Sequence, residues 1–147
     1  MKPMNEMSVS FLSCSANESF ARATVAAFVA QLDPTIDELS DIKTSVSEAV
    51  TNCIVHAYRN TLGTVYITTK IFEDGRVSIR VRDRGCGIED IAKAREPLFT
   101  TAGEERAGLG FAVMESFMDQ VNVTSHVGRG TTVTLKKKIS RRQAENG

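Results

Sequence analysis

A chain of 147 residues, 41% hydrophobic and 24% charged, has the length of one domain and a globular composition. Its 18 Lys and Arg balance 18 Asp and Glu, so it lacks the basic surplus that non-specific nucleic-acid binding draws on, and no direct DNA contact is expected. No apolar run approaches the roughly 18 residues of a membrane span, the first residues carry no secretory apolar region, and the widely spaced Cys14, Cys53 and Cys86 form neither a disulfide framework nor a zinc motif.

The expectation is a cytoplasmic single-domain protein over residues 1–147, with a core over 7–138 and a frayed tail over 139–147. Met7 to Cys14 alternates between polar and apolar and reads as a first strand. Ser15 to Glu18 offers a capping box for a helix over 17–32, whose apolar positions are Phe20, Ala23, Ala27, Phe28 and Leu32, and Asp33-Pro34 breaks it. A second box, Thr35 to Glu38, opens a longer helix with Asp37, Glu38 and Asp41 near its positive end. The core stripe of that helix is Ile42, Val46, Ala49, Val50, Cys53, Ile54 and Ala57.

The period then changes to two. Thr64 to Phe72 and Arg76 to Asp83 read as strands joined by the turn Glu73-Asp-Gly-Arg76. In the second strand Val77, Ile79 and Val81 point one way and Ser78, Arg80 and Arg82 the other. Residues 84–110 are punctuated by five glycines and Pro97, with a short helix expected near 89–95; so long a loop in a compact domain is functional or mobile. Leu109 to Met118 reads as helix, and Val121 to Val127 with Thr131 to Lys138 as a hairpin. The fold class this implies is α+β: a two-layer sandwich with helices on one face of a mostly antiparallel sheet.

Three segments carry chemistry. Glu48, Asn52 and His56 lie at i, i+4 and i+8 on the second helix, forming a polar stripe along the flank of its apolar face. A carboxylate there can take a proton from an attacking hydroxyl, and an amide oxygen can ligate Mg²⁺; a polar edge on a core helix gives the same pattern. Asp83 continues the inward alternation of its strand, and a buried carboxylate needs hydrogen-bond donors, of which an adenine amino group is one. Gly85 and Gly87 allow a sharp turn and close approach to a flat base, although an ordinary Asp-Gly turn reads alike. Gly108 and Gly110 precede a helix, where free N–H groups attract anions, and Thr100, Thr101 and Arg106 lie just upstream. No GxxxxGK[ST] segment is present, which excludes a Walker-type site.

In combination, Glu48-x-x-x-Asn52, Asp83-x-Gly85-x-Gly87, the Thr/Gly/Arg loop into Gly108-x-Gly110, and Gly130-Thr131-Thr132 resemble the N box, G1 box, ATP lid with G2 box, and closing threonine of the histidine-kinase-like (GHKL) ATP-binding fold. The only histidines are His56 and His126, neither placed like the phospho-accepting histidine of a sensor kinase. Asn17 to Arg22, Ser47 to Asn52 and Pro97 to Thr101 narrow the resemblance to the anti-sigma-factor serine kinases, in particular those acting on sporulation sigma factor F.

That resemblance implies a homodimeric switch that uses ATP and Mg²⁺, holds sigma factor F inactive and phosphorylates a serine of an anti-anti-sigma factor. Carried over by position, it makes Glu48 the general base, Asn52 the Mg²⁺ ligand and Asp83 the reader of the adenine amino group, with Gly85 and Gly87 shaping that pocket. Thr100, Thr101, Arg106, Gly108 and Gly110 become the phosphate lid, Thr131 or Thr132 the base-side wall, and Arg22 a partner contact. A stress-response relative acting on another sigma factor, or a non-catalytic nucleotide-gated binding module, are the alternative readings.

Overall fold

The computed structural model describes residues 1–95 and 110–140. Among these the chain runs β1 (Asn5–Leu12), α1 (Ala16–Val29), α2 (Ile36–Thr51), β2 (Thr64–Ile71), β3 (Arg76–Arg82), α3 (Ile91–Ala94), α4 (Phe111–Phe117), β4 (Gln120–His126) and β5 (Gly130–Lys138). The strands form one antiparallel sheet in the order β1-β2-β3-β5-β4. The expected fold class holds.

Alternation builds the layer boundary. Val65, Ile67 and Ile71 of β2, Val77, Ile79 and Val81 of β3, and Val133 and Leu135 of β5 are buried on one face. Register aligns them across strands, with Ile67 opposite Val81 and Ile79 opposite Leu135, so the face is a continuous apolar surface. Against it pack Ala21, Val25 and Val29 of α1, Ile42, Val46, Ala49 and Val50 of α2, and Phe111 and Met114 of α4. The opposite face carries Tyr66, Thr68, Lys70, Ser78, Arg80, Arg82, Thr132 and Thr134, and no helix covers it among the described residues.

Three expectations for α1 are corrected. Ser15 makes no side-chain cap: its backbone is already helical, at φ −60° and ψ −27°, whereas a capping hydroxyl needs an extended residue. The first N–H groups of the helix go instead to backbone carbonyls, Asn17 N donating to Cys14 O at 2.9 Å, and the Asn17 side chain donates from Nδ2 to the Leu12 carbonyl at 2.9 Å. The buried line of α1 is Ala21, Val25, Ala26 and Val29, while Phe20, Ala23 and Ala27 are exposed. The helix also tightens after Val29 into a 3₁₀ turn, Ala30–Leu32, stopped by Asp33 at φ 55°.

At Thr35 both arms of the capping box form: Glu38 N donates to Thr35 Oγ1 at 3.0 Å and Thr35 N to Glu38 Oε1 at 2.8 Å. The helix so started does not continue as α-helix through Ala57. It ends at Thr51, and Asn52–Ala57 winds as a wider π-turn, closed by Tyr58 N donating to Cys53 O at 3.0 Å.

Candidate functional site

The end of α2 and the exit of β3 face each other beneath β5. Glu48 lies half-buried in the last turn of α2 and Asn52 opens the π-turn. The junction means that Glu48, Asn52 and His56 do not share one straight α-helical stripe, because a π-turn advances the chain by i→i+5 bonding. Both polar atoms of the Asn52 side chain are buried and have no hydrogen-bond partner among the described residues. A buried amide left without a hydrogen-bond partner is expensive, and a bound group would satisfy it. An amide oxygen is a hard ligand of the kind Mg²⁺ takes. No cluster of three His, Cys, Asp or Glu side chains able to hold a metal is found among the described residues; an ion held through the Asn52 oxygen would take its other ligands from phosphate oxygens and water.

Asp83 follows β3 and, as its alternation predicts, points toward the helices and is buried. Its Oδ1 accepts from the backbone N–H of Gly85 at 2.9 Å and of Thr131 at 3.2 Å. Its Oδ2 accepts from the Cys53 thiol at 3.6 Å. Burial pushes the carboxyl above its ordinary range, and those three donors only partly oppose it. The Cys53 thiol is pushed well up by its own burial and then by the Asp83 charge, so it stays neutral and donates. Sequence reading assigned Cys53 only to the core stripe. Its contact with a carboxylate thirty positions away is tertiary, and no local signal announces it.

Gly85 lies directly on the backbone of Ala57, where any Cβ would overlap the Ala57 carbonyl. That approach lets Cys86 N donate to Ala57 O at 3.2 Å, joining the loop after β3 to the end of the π-turn. Gly87 sits at φ 81° under the His126 carbonyl. Thr131 is buried beside Asp83; its hydroxyl meets Ser125 Oγ at 2.7 Å, and Ser125 Oγ in turn accepts from Ile88 N at 2.7 Å. Thr132, the other residue named for the base-side wall, sits by strand alternation on the outer face, between Arg82 and Thr124.

Gly110 opens α4, which is shorter at both ends than expected, and touches Glu48. Thr100, Thr101, Arg106 and Gly108 lie outside the described residues. Arg22, expected at a partner surface, binds Ser47 Oγ at 3.0 Å, Glu18 Oε2 at 3.3 Å and Ser19 Oγ at 3.1 Å, and its side chain is about one-third exposed. It therefore pins α1 to the α2 turn that bears Glu48 while keeping an exposed edge. Tyr58, unmarked in the sequence reading, bridges the strands next to Asp83.

The histidine kinase-like ATPase domain family matches residues 15–137. The anti-sigma F factor of Geobacillus kaustophilus (strain HTA426) is 60% identical over 141 residues, covering 95% of this chain and 97% of that protein. The anti-sigma F factor of Caldanaerobacter subterraneus subsp. tengcongensis is 58% identical over 142 residues, covering 96% and 99%. Among solved structures, the RsbU and RsbW domains of Rv1364c from Mycobacterium tuberculosis align with a TM-score of 0.68 at 21% identity, over 95% of this chain and 33% of that one. Full-length ShkA in complex with AMPPNP aligns with a TM-score of 0.56 at 21% identity, over 85% and 31%. These two likenesses carry the fold; this chain spans about a third of each of those longer chains. The chain belongs to the histidine kinase-like ATPase domain family and, within it, to the anti-sigma F factors.

Proposed function

We propose that this chain is a cytoplasmic, homodimeric, ATP-dependent anti-sigma factor that holds sporulation sigma factor F inactive. It is also a serine kinase for the anti-anti-sigma factor that would release that sigma factor. The whole chain acts as one domain. The observation that carries the reading is the buried Asn52 amide, without a hydrogen-bond partner among the described residues and one helical turn from Glu48, with the buried Asp83 carboxylate beside the same π-turn.

In this reading Asp83 accepts a hydrogen bond from the exocyclic amino group of adenine, and Thr131, whose N–H bonds the same carboxylate, lines the base side. Gly85 and Gly87 keep that wall free of side chains. Asn52 turns its amide oxygen toward the phosphates, where Mg²⁺, when bound, supplies neutralisation of the negative charge that phosphoryl transfer concentrates. Thr100, Thr101, Arg106, Gly108 and Gly110 serve as the phosphate lid.

The substrate serine oxygen attacks the γ-phosphorus of ATP, forming the new O–P bond as the bond to the β-phosphate oxygen breaks and ADP departs. Glu48 takes the hydroxyl proton. Little else is asked of the protein, because phosphoryl transfer is accelerated mainly by positioning and electrostatics. Arg22, exposed along one edge beside the Glu48 turn, contacts the partner protein.

The deciding experiment uses Glu48→Gln. Labelled phosphate from ATP should pass to a serine of the anti-anti-sigma protein with the wild-type chain and fail with the variant, while calorimetry finds ATP binding retained in both. Transfer that survives the substitution removes Glu48 as the base. Sigma factor capture that is equal with ATP, with ADP and without nucleotide removes the ATP-dependent switch.

A further inference from the structure

Asn52 and Asp83 belong to segments far apart in sequence, yet a nucleotide spanning them needs both held at one fixed separation. We infer that Tyr58 is the positioning residue that sets it, an inference that rests on the nucleotide reading of this site.

Tyr58 is the residue on which the π-turn closes, its N–H reaching Cys53 O at 3.0 Å. Its side chain is buried. Its hydroxyl makes two backbone bonds in opposite directions: it accepts from Arg84 N at 2.6 Å and donates to Thr64 O at 2.8 Å. Arg84 is the link between Asp83 and Gly85. One oxygen therefore ties the exit of β3, the entry of β2 and the end of the segment bearing Asn52.

The neighbouring bonds run the same way. Ala57, immediately before Tyr58, receives Cys86 N and carries Gly85 on its backbone, and Cys86 Sγ reaches His56 O at 3.4 Å. On its far side the ring is enclosed by Gly63, where any Cβ would overlap it. The ring cannot slide without disturbing the segment that leads into β2.

Winding is the second reason. A π-turn holds one more residue per hydrogen-bonded ring than an α-turn. If Asn52–Ala57 rewound as α-helix, everything after it would rotate by about 100° per residue displaced, and the phenol could not meet Thr64 and Arg84 together. The two hydrogen bonds of the Tyr58 hydroxyl select the wide winding, and with it the place of Asn52 relative to Asp83. Tyr58 touches neither Asn52 nor the Asp83 carboxylate among the hydrogen bonds of the described residues; it acts through the backbone that carries them.

The test uses the full chain with Tyr58→Phe, which keeps the ring and removes the hydroxyl. Calorimetry with Mg²⁺ compares ATP with inosine triphosphate, which lacks the exocyclic amino group, and a Mg²⁺ titration at fixed ATP gives the half-saturating concentration. The expected result is an ATP affinity lower by about tenfold, the scale of one lost buried hydrogen bond. The preference for ATP over inosine triphosphate should narrow, and the Mg²⁺ requirement should rise. A residue with only a stabilising role would lower the melting temperature and leave both ratios untouched at temperatures well below melting; that result overturns the inference. If Tyr58→Phe does not fold, Gly63→Ala presses on the ring without removing the hydroxyl and must shift both ratios in the same direction. A wild-type chain that binds no adenine nucleotide overturns the functional reading along with the inference, whereas wild-type binding with unchanged variant ratios overturns the inference alone.

Discussion

Gly110 and Glu48 are in direct contact: a Cβ added at Gly110 would overlap Glu48 Oε1. Gly110 also holds φ at 69° as the cap of α4, a backbone region that side-chain-bearing residues enter at a cost. Gly110 thus bounds the space in which the Glu48 carboxylate stands, the group proposed as the base. Gly110→Ala strains the turn and pushes the carboxylate away together. A misplaced reacting group costs on the order of a hundredfold for a displacement of about 1 Å. Single-turnover phosphotransfer should therefore slow by roughly that factor, with ATP affinity changed far less. An equal loss in both would assign Gly110 to closing the pocket and not to placing Glu48.

Asp83 is held at a cost to the nucleotide-free protein. Burial raises its carboxyl above the ordinary range, with Gly85, Thr131 and Cys53 pulling the other way. A raised pKa in the folded state means that the stability contributed by protonation is complete below the unfolded value and is lost as pH rises through the folded value. At neutral pH the ionised carboxylate opposes folding. Asp83→Asn retains an oxygen to accept from Gly85 and Thr131, so the nucleotide-free variant should melt higher than the wild type at neutral pH, by a margin that shrinks toward acid. ATP affinity should fall by about 1.5–3 kcal/mol, the value of a hydrogen bond to a charged group. Melting curves from neutral to acid pH, with and without ATP, measure both; a variant that melts lower at neutral pH removes the burial argument.

The inward carboxylate of Asp83 was legible because strand alternation is strict and Val77, Ile79 and Val81 announce its phase. The Thr35–Glu38 box was legible for a similar reason, since both partners are local. The matching motif at Ser15 reads no differently, yet the short connection from β1 leaves Ser15 helical and hands the carbonyl of Leu12 to Asn17. In α1 the alanines at positions 21, 23, 26 and 27 give almost no hydrophobic contrast, so the buried line falls on Ala21 and Ala26 and not on Ala23 and Ala27, while Phe28 and Leu32 meet the core as expected. The π-turn keeps the i, i+4 appearance of Glu48, Asn52 and His56 in one dimension while altering their angular spacing. Cys53 and Tyr58 acquire meaning only through residues that the sheet brings near, Asp83 and Arg84.

Cys53 makes a prediction of its own. A thiol is a weak donor, and at 3.6 Å it leaves Asp83 Oδ2 easily recruited by a stronger one. Cys53→Ser places a better donor on the same oxygen, in competition with an adenine amino group. ATP affinity should drop several-fold, on the scale of about 1 kcal/mol for an exchanged neutral hydrogen bond. Cys53→Ala, which removes the competitor, should bind ATP at least as tightly as wild type while losing some stability from the vacated volume. Calorimetric affinities in the order Ala, Cys, Ser support this arrangement; a serine variant that binds ATP more tightly contradicts it.

At the other end of α2, Glu38 joins the helix start to the segment that follows β5. Its Oε1 accepts from Thr35 N, and its Oε2 from Ser140 N at 3.0 Å. Burial pushes its carboxyl up, but the N–H groups of Ser140 and Thr35 outweigh that, and the net shift is downward. A lowered pKa in the folded state means stability that is present above the unfolded value and is lost as pH falls through the folded one. Glu38→Gln weakens both acceptor bonds and removes the charge at the positive end of the helix. The expected cost is about 1 kcal/mol, the usual value of a helix cap. Urea denaturation should find that deficit at neutral pH and find it closing in acid, where the wild-type carboxylate is protonated as well. Glu38 lies in the first turn of α2 and Asn52 just beyond its last, so ATP affinity should not change. A deficit that stays constant across the acid range would place the loss in packing and not in the charge.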